Sequence, residues 1–154
     1  MQNAKVKMKN YSLKLKSFLR KILPESVILL SHKLRAMLAA FYYQFPSKRM
    51  TVIGVTGTNG KSTTVTMIAD ILQAAGKNVC STTTVEFRIG RRRFKNTTKL
   101  TVISPFALQK FLSDALRVGC SHTVLEVTSH ALTQNRLWGI NFDSVVLTNI
   151  THDH

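Results

Sequence analysis

Met50-Thr-Val-Ile-Gly-Val-Thr-Gly-Thr-Asn-Gly-Lys-Ser-Thr-Thr64 is the stretch on which the fold turns. Met50 to Val55 is a short β-rich run that leads without a break into a glycine-bearing loop. Beyond it, Val65, Ile68, Ala69, Leu72 and Ala75 recur at helical spacing, with Gly76 as the stop. Strand, glycine loop and helix, in that order, are the context a phosphate-binding loop requires. Glycines let backbone N–H groups close around phosphate oxygens, and the helix N-terminus aligns further donors. Lys61 neutralises phosphate charge, and the Ser62 hydroxyl can ligate Mg²⁺. The strict pattern G-x-x-x-x-G-K-[ST] asks for glycine where this chain has Val55, with Gly54 and Gly57 on either side. The loop is a variant, identified by its flanking strand and helix, and it predicts binding of a nucleoside triphosphate.

Downstream, Asn78 to Thr84 reads as a second strand and Val85 to Phe94 as a hairpin turning at Gly90, with Arg91-Arg92-Arg93 a solvated turn in preference to a site for a substrate phosphate or acidic partner. Ser104-Pro105 opens a helix carrying Phe106, Leu108, Phe111, Leu112, Ala115 and Leu116, and Gly119 stops it. A strand from His122 to Val127, a short helical stretch from Ser129 to Leu137 and a strand from Ser144 to Leu147 complete the series. This alternation predicts an α/β fold of the P-loop type, a mostly parallel sheet with helices on both faces.

Upstream the character changes. The chain has 154 residues, 44% of them hydrophobic, which fits a globular unit with a real core and excludes wholesale disorder. Its formal charge is +15, and residues 1–50 hold 11 basic side chains against the single acid Glu25. Such a field favours anionic partners. No aromatic-and-basic stacking pattern accompanies it, so nucleic acid is not the expected partner. From Ser26 the apolar positions Leu30, Leu34, Met37, Leu38 and Phe41 predict an amphipathic helix ending before Pro46. The expectation is that residues 1–49 form a basic helical leader packed on the domain beyond it, with peripheral membrane or partner contact as the alternative. The uninterrupted apolar run Val27 to Leu30 is too short for a secretory signal or for a spanning helix of about 20 residues. Two cysteines, Cys80 and Cys120, make neither a disulfide framework nor a four-ligand zinc site and read as ordinary buried thiols. A reducing, cytoplasmic setting is expected.

In sheets of this kind chemistry gathers beyond the carboxyl ends of the strands. Glu126 sits near one such end, followed by Thr128, Ser129 and His130; Thr148-Asn149 end another, followed by Thr151-His152-Asp153-His154. A carboxylate and imidazoles beside a loop hydroxyl could hold Mg²⁺ between a nucleotide and an acceptor. The plainer reading of Glu126 is a cap on the next helix, and of His130, His152 and Asp153 structural, solvent-facing or capping groups.

The strings Gly54-Val-Thr-Gly-Thr-Asn-Gly-Lys-Ser-Thr-Thr64, Asn96-Thr-Thr98, Glu126-Val-Thr-Ser-His-Ala-Leu-Thr-Gln-Asn-Arg136, Phe142-Asp143 and Leu147-Thr-Asn-Ile-Thr-His-Asp-His154 together resemble the central ATP-binding domain of the Mur ligases. The resemblance covers residues 50–154. It implies that Gly57, Thr58, Asn59, Gly60, Lys61, Ser62 and Thr63 cradle the phosphates of ATP, with Lys61 on the β- and γ-phosphates and Ser62 on a first Mg²⁺. It implies Glu126 and His154 as ligands of a second Mg²⁺, and Thr97, Thr98, Thr128, Gln134 and Arg136 as contacts to a UDP-muramoyl-peptide. The implied reaction phosphorylates a carboxylate to an acyl phosphate, which the amine of an amino acid attacks to give an amide, ADP and phosphate, a step in peptidoglycan assembly. Lys61, Glu126 and His154 are the implied catalytic groups, since two anions must meet and cations must neutralise both.

Three departures from the family pattern stand out. A basic leader precedes the loop where the family has a separate uridine-gripping domain. The segment Asn96 to Pro105 reads NTTKLTVISP, where a typical member has proline soon after the threonines. The family continues past this point to a carbamylated lysine and a C-terminal domain. The expectation is an N-terminal fragment, or one half of a split protein, that does not complete ligation alone. A non-catalytic nucleotide-binding module and a related ligase of the folylpolyglutamate synthetase type are the competing readings.

Overall fold

A computed structural model describes residues 24–96, 101 and 103–151 of the chain. In chain order it contains helix α1 (Glu25–Tyr42), a 3₁₀ turn (Pro46–Arg49), β1 (Thr51–Thr56), α2 (Lys61–Ala74), β2 (Val79–Thr82), β3 (Glu86–Ile89), β4 (Arg92–Lys95), α3 (Pro105–Arg117), β5 (His122–Glu126), α4 (Ser129–Thr133) and β6 (Ser144–Leu147). The six strands form one sheet in the order β4-β3-β2-β5-β1-β6. β2, β5, β1 and β6 run parallel, while β3 and β4 add an antiparallel hairpin at one edge. The α/β fold and the elements expected from the sequence are therefore present.

Side chains alternate across the parallel strands because successive residues face opposite sides. Val52, Cys80 and Leu125 point into a core closed by Leu108, Leu112 and Ala115 of α3 and Ala131 of α4. Val55, Val79 and Val124 point the other way, onto Val65 and Ala69 of α2. Helices thus cover both faces. Pro105 occupies the first turn of α3, where its missing N–H costs no helical bond, and the Ser104 hydroxyl accepts from the Ala107 N–H. The hairpin is tied to α2 by Asp70, which pairs with the buried Arg88 and with Arg93; Arg91 and Arg92 are exposed, as a solvated turn requires. Cys80 and Cys120 are free and buried, and the hydrogen-bond interaction with Cys120, together with burial, holds the Cys80 thiol well above its ordinary pKa.

Register fixes where chemistry can occur. Val55 lies opposite Glu126, Thr56 opposite Leu147, and Thr82 opposite Leu125, so four strands end along one edge of the sheet. At the other end of β6, Asp143 closes a pair of bonds with Val52: its carboxylate accepts from the Val52 N–H at 2.7 Å and its own N–H donates back at 2.9 Å.

Helix α1 docks on the body, but not through the face its leucines mark. Its buried residues are Ala36, Ala39 and Ala40, whereas Leu30, Leu34, Leu38 and Phe41 are exposed and Met37 is half-buried. The reason is distance of approach. Ala40 meets the backbone at Gly139, where an added Cβ would stand 2.7 Å from the Ala40 Cβ, and Gly139 has φ +81°. Only a small residue on each side allows this contact. Gly139→Ala is expected to destabilise the fold by about 1–3 kcal/mol and to loosen α1. Urea unfolding with hydrogen exchange of α1 amides checks this, and an unchanged midpoint would show that the contact is not limiting.

Candidate functional site

The loop between β1 and α2 sits where the four strand ends converge. Gly60 is the N-cap of α2 and has no side chain to spend on capping, so the N–H groups of the first turn are left for an external acceptor. Lys61 folds back over the loop, its ammonium donating to the carbonyls of Gly57 and Thr58 at 2.7 Å each. Thr58, Asn59, Gly60, Lys61, Ser62, Thr63 and Glu126 line a cleft of about 220 Å³. A Cβ placed on Gly60 would meet nothing within 4 Å, so the space above the helix terminus is open.

Gly57 shows the opposite constraint. At φ +136° it turns the chain against the end of β6, and a Cβ there would lie 2.1 Å from Thr148 Oγ1 and 2.9 Å from the Asn149 carbonyl. That neighbour holds the loop in shape. Asn149 Oδ1 accepts from the Asn59 N–H at 2.9 Å, Thr148 Oγ1 donates to the Asn59 carbonyl at 2.7 Å, and the Thr58 N–H donates to the Asn149 carbonyl at 3.1 Å. Gly57→Ala is expected to cost about 2–4 kcal/mol from backbone strain and overpacking, and to misplace the loop. Thermal unfolding together with nucleotide titration measures both losses; a variant as stable as the parent would contradict the contact.

Glu126, at the end of β5, is 4% exposed and is the best-connected acceptor of the site. Its Oε2 accepts from Ser62 Oγ at 2.7 Å and from the Thr84 N–H at 2.8 Å, and its Oε1 accepts from Thr84 Oγ1 at 3.1 Å. Thr84 is itself bonded to Thr101 Oγ1. Glu126 does not cap α4; Thr128 does, accepting from the Ala131 N–H at 3.2 Å. Among the described residues the buried carboxylate has hydrogen-bond donors but no ion pair. A carboxylate removed from water in this way is held by its hydrogen-bond donors and gains further from a cation in the cleft it lines.

Of the residues marked by sequence, Gly57 to Thr63 and Glu126 are thus brought together. Thr128 joins them from a neighbouring cleft that it lines with Thr56, Gly57, Thr58 and Lys61. Gln134 and Arg136 lie half-buried on the turn after α4 and line neither cleft, and His130 is exposed. Thr97, Thr98, His152, Asp153 and His154 lie outside the described residues. Sequence reasoning did not single out Thr84 or Thr101 as supports of Glu126, nor Asn149 as the clamp of the loop.

Residues 55–154 match the family model of the Mur ligase middle domain. The chain belongs to the Mur ligase family. A UDP-N-acetylmuramyl-tripeptide synthetase of Roseiflexus sp. (strain RS-1) is 42% identical over 121 residues, which are 77% of this chain and 24% of that protein. A UDP-N-acetylmuramoyl-L-alanyl-D-glutamate--2,6-diaminopimelate ligase of Gloeobacter violaceus is 43% identical over 122 residues, with the same coverage. A solved structure of a ligase with that second name superposes with a TM-score of 0.66 at 27% identity, covering 79% of this chain and 25% of that one. The chain therefore spans about a quarter of the length of the Mur ligases it matches, and the phosphate loop and Glu126 fall within the matched middle domain.

Proposed function

We propose that this chain supplies the nucleotide- and metal-holding part of an ATP-dependent, ADP-forming ligase that joins an amino acid to a UDP-muramoyl-peptide in peptidoglycan synthesis. The observation that carries the proposal is the bond from Ser62 Oγ to the buried Glu126 carboxylate, which joins the phosphate loop to an acid lacking a cationic partner among the described residues. The oxygen donors are the hard ligands Mg²⁺ prefers, and the cleft of about 220 Å³ between the loop and Glu126 leaves room for phosphate. Ser62 would hold a first Mg²⁺ and Glu126 a second, with His154 as the further ligand of the second that the family resemblance implies. The ion would supply positive charge where the γ-phosphate and the acceptor carboxylate approach one another.

The chain's own groups do the rest. First-turn N–H groups of α2 bind phosphate oxygens, and Lys61 exchanges its two carbonyl bonds for bonds to phosphate. The Asn149 and Thr148 clamp keeps the loop from reorganising as charge moves, which is the preorganisation phosphoryl transfer demands. Thr128, which lines the cleft beside the loop, is assigned to the acceptor substrate by the resemblance, as are Thr97, Thr98, Gln134 and Arg136. The muramoyl-peptide and the amino acid are the proposed substrates, the cytoplasm the proposed compartment, and the rest of the ligase, or a partner chain, the proposed source of the remaining groups. Calorimetric titration of the full-length protein with ATP tests the nucleotide site. Binding that requires Mg²⁺ and is lost in EDTA is expected; binding indifferent to EDTA would remove the metal role of Ser62 and Glu126.

A further inference from the structure

Helix α1 presents two faces with different chemistry. Around the helix, at about 100° per residue, Ala36, Ala39 and Ala40 fall on the docked side, and Val27, Leu30, Leu34, Leu38, Phe41 and Tyr42 fall within an arc of about 120° on the other. Leu30 is 64% exposed, and Leu34 and Leu38 are each 54% exposed. Ser31 lies inside the arc, but its hydroxyl donates to the Ile28 carbonyl at 2.7 Å and so is already satisfied by its own helix. Arg35 borders the arc on one edge, exposed Lys33 lies beyond Met37 on the other side, and the lone acid Glu25 lies on the docked side. Lys48 and Arg49 stand in the 3₁₀ turn just beyond, and residues 1–50 together carry ten more positive than negative charges.

From this arrangement we propose that α1 is a surface-docking helix for anionic phospholipid. Its leucine face enters the boundary between headgroups and acyl chains, while Lys33 and Arg35 extend to the phosphates on either side. The occupant is read from charge complementarity: an exposed apolar stripe with Arg35 at one edge and Lys33 beyond Met37 on the other, in a basic segment, matches an apolar layer beneath a sheet of negative headgroups. No helix among the described residues is long and apolar enough to cross a membrane, so α1 lies on the surface. The inference is independent of the nucleotide site, which is built from other elements.

Flotation of the full-length protein with vesicles tests it. Partition onto mixed phosphatidylglycerol and phosphatidylcholine vesicles is expected to exceed that onto phosphatidylcholine alone by about tenfold or more, and to fall as salt is raised. The double variant Leu34→Glu, Leu38→Glu, exposed at both sites, is expected to lose about tenfold or more of that partition. Lys33→Glu with Arg35→Glu is expected to lose about as much on anionic vesicles only. Absence of flotation, equal partition onto the two vesicle types, or wild-type partition by both double variants would overturn the proposal. So would dimerisation in lipid-free solution that the leucine variant abolishes, or a fall of several degrees in that variant's Tm, because another copy or the chain itself would then cover the stripe.

Discussion

Lys61→Ala is expected to weaken Mg·ATP binding by about a hundredfold or more while leaving the fold intact. Lys61 is the cation at the centre of the loop, and each charge-assisted bond lost contributes about 1.5–3 kcal/mol, so two bonds to phosphate account for that factor. Stability changes little, because the bonds Lys61 makes within the loop go to the carbonyls of Gly57 and Thr58, on a half-exposed part of the surface. Lys61→Arg separates charge from shape: a planar guanidinium keeps the charge but not the compact ammonium that fits between two carbonyls, and partial loss is expected. Titration of both variants by calorimetry, with circular dichroism to confirm folding, provides the comparison. Unchanged affinity in Lys61→Ala would show that the loop does not bind nucleotide phosphates.

Glu126 gives the second large effect, and two substitutions divide it. Glu126→Gln retains an oxygen to accept from Thr84 and Ser62 but removes the charge, so the fold should persist while kcat of the full-length ligase falls by about 10²–10³. Glu126→Ala also strips the Thr84 N–H and the Ser62 hydroxyl of their acceptor, adding a stability loss of about 1–3 kcal/mol. Turnover and urea unfolding, measured side by side on the two variants, distinguish a charge that serves chemistry from an acceptor that only ties β5 to α2. If Gln turns over like the parent, Glu126 is structural.

Those two residues were readable from sequence for different reasons. Lys61 belongs to a contiguous strand, loop and helix, where spacing along the chain is also spacing in space. Glu126 needed the rule that chemistry gathers at strand ends, since it meets Ser62 across 64 residues of chain. Thr84 and Thr101 carried no such signal. Thr84 meets Glu126 because β2 pairs with β5 across the crossover that contains the hairpin and α3, Thr101 joins only through Thr84, and neither pattern nor propensity specifies that sheet order. Asn149 is a similar case, because its grip on Asn59 depends on β6 pairing with β1.

The leader helix departs from expectation in an instructive way. Hydropathy ranks leucine above alanine for burial, so the Leu30, Leu34 and Leu38 stripe is the natural inward face. Packing chose otherwise, since α1 must approach Gly139 closely, and Ala36, Ala39 and Ala40 form the side that can. Hydrophobic periodicity located the helix, and steric fit decided its orientation.

Ligation served by the loop and Glu126 is tested by ADP formation from ATP when the full-length protein is supplied with a UDP-muramoyl dipeptide and a panel of amino acids. ADP release is expected only when nucleotide sugar-peptide, amino acid and Mg²⁺ are all present, matched one for one by the new amide product in mass spectrometry. ADP release that no combination of muramoyl-peptide and amino acid stimulates, from a protein that binds Mg·ATP, would contradict the ligase reading and leave a nucleotide-binding module in its place.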